Sequence, residues 1–200
     1  METPALLLFD LGGVLLENAT FESLSRLLPE AANFVTIKDR WLASPTVRRF
    51  ELGKMSADQF AEAFIDEWKI RLSPDAFLKE FASWPIGFYP RAAETLGSLR
   101  RRYRVGCLSN SNVVHWERFG GFNEHFDIAL SSHQLGAIKP DDDAYLRALQ
   151  RCGAAPSATW FFDDQPVNVE TARRLGIRAY HVEGMTDLLR VLQSEGLLAG

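Results

Sequence analysis

Apolar residues follow two rhythms along this chain. The change of rhythm comes near residue 16 and reverses near residue 86. Outside that interval, short apolar runs recur at residues 6–9, 105–108, 128–131, 159–162 and 177–182, with helical periodicity between the later four. Runs of this length bounded by turn formers read as strands buried on both faces. Their alternation with helices predicts a parallel sheet with crossover helices. Asp141 is expected to cap a helix that buries Tyr145, Leu146 and Leu149 and that ends at Gly153. Inside the interval, from about Glu17 to Trp84, strand signal nearly vanishes and amphipathic helices take over. Ser56-Ala57-Asp58-Gln59 reads as a capping box before Phe60, Phe64 and Trp68, and Ser73-Pro74 opens a helix presenting Phe77 and Phe81.

The predicted architecture is α/β, with a Rossmann-like, doubly wound parallel sheet core and an inserted all-α domain. Residues 1–15 and 86–200 are assigned to the core and 16–85 to the insert. Two crossings join them, one after the Gly12-Gly13 pair and one at Trp84-Pro85-Ile86-Gly87-Phe88-Tyr89-Pro90, which is rich in turn formers. A helical insert over the C-terminal edge of the sheet would exclude water from a site there.

The 200 residues, 46% of them hydrophobic, suffice for one sizeable core and a small second one. A net charge of −4 with mixed signs gives no case for nucleic acid. The basic run Arg100-Arg101-Arg102-Tyr103-Arg104 reads as a helix C-terminus complementing its dipole. No apolar stretch approaches the ~18 residues of a membrane span, and Met1-Glu2-Thr3-Pro4 lacks the basic start of a secretory signal. We therefore expect a cytoplasmic protein with no membrane partner. Cys107 and Cys152 suggest neither a disulfide nor a zinc site.

Four polar clusters each follow an apolar run or precede a helix: Asp10 with Gly12 and Gly13, Ser109-Asn110, Lys139-Pro140 and Asp163-Asp164. Each has a plainer reading as a turn, a surface charge or a helix cap. Together they put carboxylates, a hydroxyl and an ammonium on one sheet edge, a set that can cradle a phosphoryl group. Asp10 and Asp164 would bind Mg²⁺, which prefers oxygen ligands. Ser109 and the backbone at Asn110 would hydrogen-bond phosphate, and Lys139 would supply a point charge.

In this order the motifs Phe9-Asp10-Leu11-Gly12-Gly13-Val14, Leu108-Ser109-Asn110, Lys139-Pro140 and Phe162-Asp163-Asp164 resemble those of the haloacid dehalogenase-like (HAD) superfamily. The insert resembles that family's C1 cap, including the stretch Phe50-Glu51-Leu52-Gly53-Lys54-Met55-Ser56. Within the family the chain is similar to bacterial α-D-glucose-1-phosphate phosphatases and to the phosphatase-like domain of epoxide hydrolases. The resemblance implies a magnesium-dependent hydrolase of a small phosphorylated metabolite. Asp10 would be the nucleophile, forming an aspartyl-phosphate, and also a metal ligand. Ser109 and Asn110 would bind phosphate, and Lys139 would steady nucleophile and phosphate. Asp164, Asp163 and the Gly12 carbonyl would complete or support the magnesium site.

Two positions depart from the family pattern. Gly12 stands where a second Asp usually serves as general acid and base, and Asn168 stands where a further Asp is usual. Without a carboxylate at position 12, turnover should depend strongly on the leaving group, unless water or His115 supplies the proton. A non-catalytic protein binding a phosphorylated ligand or a partner, and a 2-haloacid dehalogenase using Asp10, are the alternatives. Asn18, Arg48 and Trp116 are candidates for facing the substrate.

Overall fold

The computed structural model describes residues 3–29, 33–118, 122 and 124–198. The strands β1 (Leu6–Phe9), β4 (Arg104–Ser109), β5 (Ile128–Ser131), β6 (Thr159–Asp163) and β7 (Arg178–His181) form one sheet in the order β5-β4-β1-β6-β7. All its pairings are parallel. Alternate residues of the central strand supply two cores. Leu7 and Phe9 pack with Leu96, Leu99, Leu188 and Leu192 on one face. Leu6 and Leu8 pack with Tyr145, Ala148, Val169 and Ala172 on the other. The covering helices are α6 (Ala92–Arg100) and α11 (Gly184–Ser194) on the first face, and α9 (Asp142–Cys152) and α10 (Pro166–Arg174) on the second. This is the doubly wound α/β core that the alternation predicts. Among the described residues no helix is long and apolar enough to cross a membrane, and both cysteines are free and buried.

Five helices lie between Asn18 and Pro85: α1 (Thr20–Leu27), α2 (Phe34–Ala43), α3 (Pro45–Glu51), α4 (Ala57–Trp68) and α5 (Pro74–Phe81). The capping box at Ser56 and Gln59 forms as expected, and Ser73 caps α5 through the Ala76 N–H. Their apolar faces build a third core that is largely aromatic. Phe50 stacks on Phe60 at 4.1 Å, Phe64 on Trp68 at 5.1 Å, and Phe81 meets Trp84 edge-on at 4.9 Å. Each such ring contributes roughly 1.5–3 kcal/mol by burial alone.

The structure corrects three local expectations. The two crossings are not plain loops: β2 (Leu16–Asn18) pairs antiparallel with β3 (Pro85–Phe88), with a register shift between Glu17 and Asn18. Asp141 occupies the cap position of α9 but makes no side-chain capping bond, because its carboxylate pairs with Arg48 of α3. Leu146 is 51% exposed, since the buried stripe of α9 runs through Tyr145, Ala148, Leu149 and Cys152.

Helix α7 (Val113–Arg118) fastens the core to the helical block. His115 Nε2 donates to the Phe81 carbonyl at 2.9 Å, its Nδ1 accepts from Asn112 Nδ2 at 3.3 Å, and the imidazole stacks on Phe81 at 4.1 Å. Burial pushes His115 down from 6.5 to about 4. The unfolded chain therefore takes up a proton that the folded chain refuses as pH falls between those values, and stability drops across that window. Urea unfolding at pH 7.5 and 4.5 should show the wild type losing about 2 kcal/mol more than His115→Gln over this span. Equal losses would mean that the imidazole titrates normally.

Candidate active site

Asp10 leaves the core at the C-terminal end of β1, where the flanking strands β4 and β6 lead away to opposite sides. Such switch points are where open α/β sheets bind ligands. The backbone is fixed there: Asp10 N–H donates to the Phe162 carbonyl at 2.8 Å. Asp10 Oδ1 accepts from the Leu11 N–H at 2.7 Å and lies 3.0 Å from Lys139 Nζ.

Lys139 is buried, and its ammonium also donates to Asp163 Oδ2 at 2.7 Å. Asp163 Oδ1 in turn accepts from the Gln165 N–H at 2.8 Å and from Asn168 Nδ2 at 2.9 Å. Asp163 is thus wholly engaged by protein donors and acts on the site by holding Lys139. Asn168 explains its own departure from the family pattern: as an amide it donates to a carboxylate that a second acid would repel. The Asn110 side chain pairs with the Lys139 backbone twice, Nδ2 to its carbonyl and Oδ1 from its N–H, both at 2.9 Å. That side chain positions Lys139, so any phosphate contact from Asn110 falls to its backbone. Ser109 Oγ has a long 3.4 Å contact to the Asn110 carbonyl, weak enough to give up for a stronger acceptor.

Carboxylate oxygens of Asp10, Asp163 and Asp164 lie within 4.8 Å of one another. Burial first, then the charges of Asp163 and Asp164, push Asp10 up to about 8 against the opposing pull of Lys139. Asp164 is also raised, by burial foremost and then by the charge of Asp163. Three carboxylates facing one ammonium leave an excess of negative charge that a hard cation would neutralise, and the all-oxygen donor set suits Mg²⁺. The two glycines serve different ends. Gly13 has φ +76°, and a Cβ there would stand 2.8 Å from Asp164 Oδ2. Gly12 lies outside the left-handed region, and a Cβ would meet only Asn18 Nδ2, at 3.0 Å.

A cavity of about 470 Å³ connects Asp10, Ser109, Lys139 and Asp164 to groups on the helical block. Asn18 lines it, as proposed from sequence. Arg48 is instead tied to Asp141, and Trp116 is packed in the core. His115 reaches the cavity wall with both nitrogens committed and its pKa lowered, so it is a poor proton source. Sequence reasoning assigned no role to Lys38 of α2 or Glu51 of α3, which also line the cavity. Glu51 ends a short helix whose Phe50 is buried, and that adjacency was the available signal.

The profile of the haloacid dehalogenase-like hydrolases matches residues 4–176. A phosphatase of Mycobacterium tuberculosis, MT3486, is 32% identical over 78% of this chain and 68% of its own length. A D-ribitol-5-phosphate phosphatase of Bacteroides thetaiotaomicron is 26% identical over 90% of this chain and 93% of its own. A HAD-family enzyme of B. thetaiotaomicron, crystallised with magnesium and inorganic phosphate, superposes with a TM-score of 0.74 at 23% identity, covering 90% of this chain and 94% of that one.

The glycine geometry yields a paired prediction. Gly13→Ala should weaken Mg²⁺ binding at least about tenfold by calorimetry, because left-handed strain of about 1–2 kcal/mol adds to displacement of Asp164. Gly12→Ala should bind Mg²⁺ within about threefold of wild type, since only the tip of Asn18 must move. The reverse order would show that Asp164 does not hold the metal.

Proposed function

The chain belongs to the haloacid dehalogenase-like hydrolase family, and from that premise we propose that it is a magnesium-dependent phosphatase. Its substrate would be a small phosphomonoester of sugar- or polyol-phosphate size, cleaved through a phosphoryl group carried on Asp10. The observation that carries the reading is the convergence of Asp10, Lys139 and Asp164 on one cavity whose other wall is the helical block. Both donors to Asp10 from the described residues reach Oδ1, which makes Oδ2 the oxygen that attacks phosphorus. Lys139, held between Asp10 and Asp163, keeps its proton and offers fixed positive charge to the equatorial oxygens. Ser109 Oγ and the Asn110 backbone hydrogen-bond those oxygens. Asp10, Asp164 and the Gly12 carbonyl would hold Mg²⁺, with Asp163 in support, and the bound ion supplies charge neutralisation at the phosphoryl group. Residues 16–85 act as a cap that shields the transfer from bulk water.

A cavity of about 470 Å³ accommodates a metabolite rather than a macromolecule. The polar ends of Asn18, Lys38 and Glu51 suit a hydroxylated or charged leaving group. The activity of the B. thetaiotaomicron relative on D-ribitol 5-phosphate supports this class. The carboxylate cluster favours phosphate over halide displacement, because departing chloride has no need of a hard cation.

The test is phosphate release from a panel of sugar, polyol and aryl phosphates, abolished by chelator and restored by Mg²⁺. Folded, magnesium-loaded protein that is inert to the whole panel would instead indicate a binding protein, and chloride release from 2-haloacids would indicate a dehalogenase. Asp10→Asn should lower turnover at least about 10³-fold, because an amide is a poor nucleophile. Its far-UV circular dichroism should match that of the wild type, since the amide is nearly isosteric and keeps an acceptor at the Oδ1 position. Near-normal turnover in this variant would exclude Asp10 as nucleophile.

A further inference from the structure

Transfer of phosphate from an alkyl ester leaves an alkoxide that needs a proton, and the groups around Asp10 do not provide one. Lys139 is locked between two carboxylates that raise its pKa. His115 is neutral with both nitrogens committed. Gly12 has no side chain, and Asp10 itself would be bonded to phosphorus. Glu22 sits exposed in the first turn of α1.

Glu51 differs from all of these. It ends α3, is half-buried, lines the same cavity as Asp10, and lies close enough to Lys139 to feel its charge. Its carboxyl accepts no hydrogen bond from the described residues, whereas those of Asp10 and Asp164 do. The helix bearing it is clamped to the core on either side of position 51. Arg48, one turn earlier, pairs with Asp141. Gly53, two residues later, approaches the His133 backbone so closely that a Cβ would stand 2.5 Å from its carbonyl oxygen.

Resting on the phosphatase reading, we infer that Glu51 is the general acid and base of this site, supplied from the helical block. As Asp10 bonds phosphorus, the bond to the ester oxygen breaks and that oxygen takes the Glu51 proton, leaving as the alcohol. The Glu51 carboxylate then accepts a proton from water as the water oxygen attacks phosphorus. The bond from phosphorus to Asp10 breaks, inorganic phosphate departs, and both side chains return to their initial states. Burial raises Glu51 to about 7 against the lowering charges of Lys139 and Arg48, which suits a group that must both give and take a proton near neutrality.

The experiment measures kcat/KM for a series of magnesium-dependent substrates, from p-nitrophenyl phosphate to ribitol 5-phosphate, in wild type, Glu51→Gln and Glu51→Asp. Glu51→Gln should lower alkyl-ester hydrolysis by about 10²–10⁴-fold but nitrophenyl hydrolysis by less than about fivefold, because nitrophenolate leaves unprotonated. Glu51→Asp should recover part of the alkyl activity. Equal losses on both substrate classes, or no loss on either, would overturn the assignment. So would a wild type that cleaves only the aryl ester. Should the variants fail to fold, the wild-type dependence on leaving-group pKa decides: a shallow slope supports Glu51, and a steep one overturns it. A wild type inert to every ester would overturn the phosphatase reading itself.

Discussion

The burial of the Lys139 ammonium is the constraint from which the rest of the site follows. Removing such a charge from water costs several kcal/mol unless close partners replace its hydration. Here Asp163 and Asp10 do so at 2.7 and 3.0 Å. The two acids stand at the ends of adjacent parallel strands, β6 and β1, whose register places Phe9 beside Phe162. Sheet register therefore sets the spacing that the lysine bridges. The remaining polar side chains keep the ammonium where it is. Asn110 grips the Lys139 backbone by two hydrogen bonds, and Asn168 and the Gln165 N–H orient Asp163. Tyr145 secures this last arm by donating to the Asn168 carbonyl at 2.9 Å.

The helical block is placed with comparable firmness. Its chain leaves and returns through the paired strands β2 and β3, so both crossings move as one ribbon. On the far side, His115 and Arg118 of α7 bond the carbonyls of Phe81 and Ala82 where α5 ends. The third tie is the Arg48–Asp141 pair. Exposed ion pairs contribute about 0–1 kcal/mol each, so this pair fixes orientation more than it adds stability.

Much of this was legible in the sequence because parallel strands, buried on both faces, show as apolar runs that stop where the core stops. The chemistry-bearing residues Asp10, Ser109, Asp163 and Asp164 lie at those stops, and the helical aromatics declared their own core by spacing alone. What stayed hidden depends on partners distant in the chain. A strand of three residues pairing with one near residue 86 leaves no periodic trace. Asp141 looked like a helix cap because Arg48 lies 93 residues earlier. The apolar residues of α9 suggest a broader stripe than the one that is buried, which takes in Ala144 and Tyr145, skips the exposed Leu146 and resumes at Ala148. Glu51 carries only a faint sign of facing the cavity, its adjacency to the buried Phe50, since one acid at a helix end usually marks a solvated surface.

The two departures from the family pattern are consistent with a working site once its charges are considered together. Asp10 is already pushed up by burial and then by Asp163 and Asp164, with one ammonium to offset three acids. An acid at position 168 would lie against the Asp163 oxygen that now accepts an amide, and would compete for Lys139. An acid at position 12 would add charge beside Asp10 and require Asn18 to yield. Replacing both with uncharged groups keeps the lysine bridge balanced and leaves the cation to complement the charge that remains. Proton transfer can then reside on an element outside the cluster, where a carboxyl is free to titrate without disturbing Asp10.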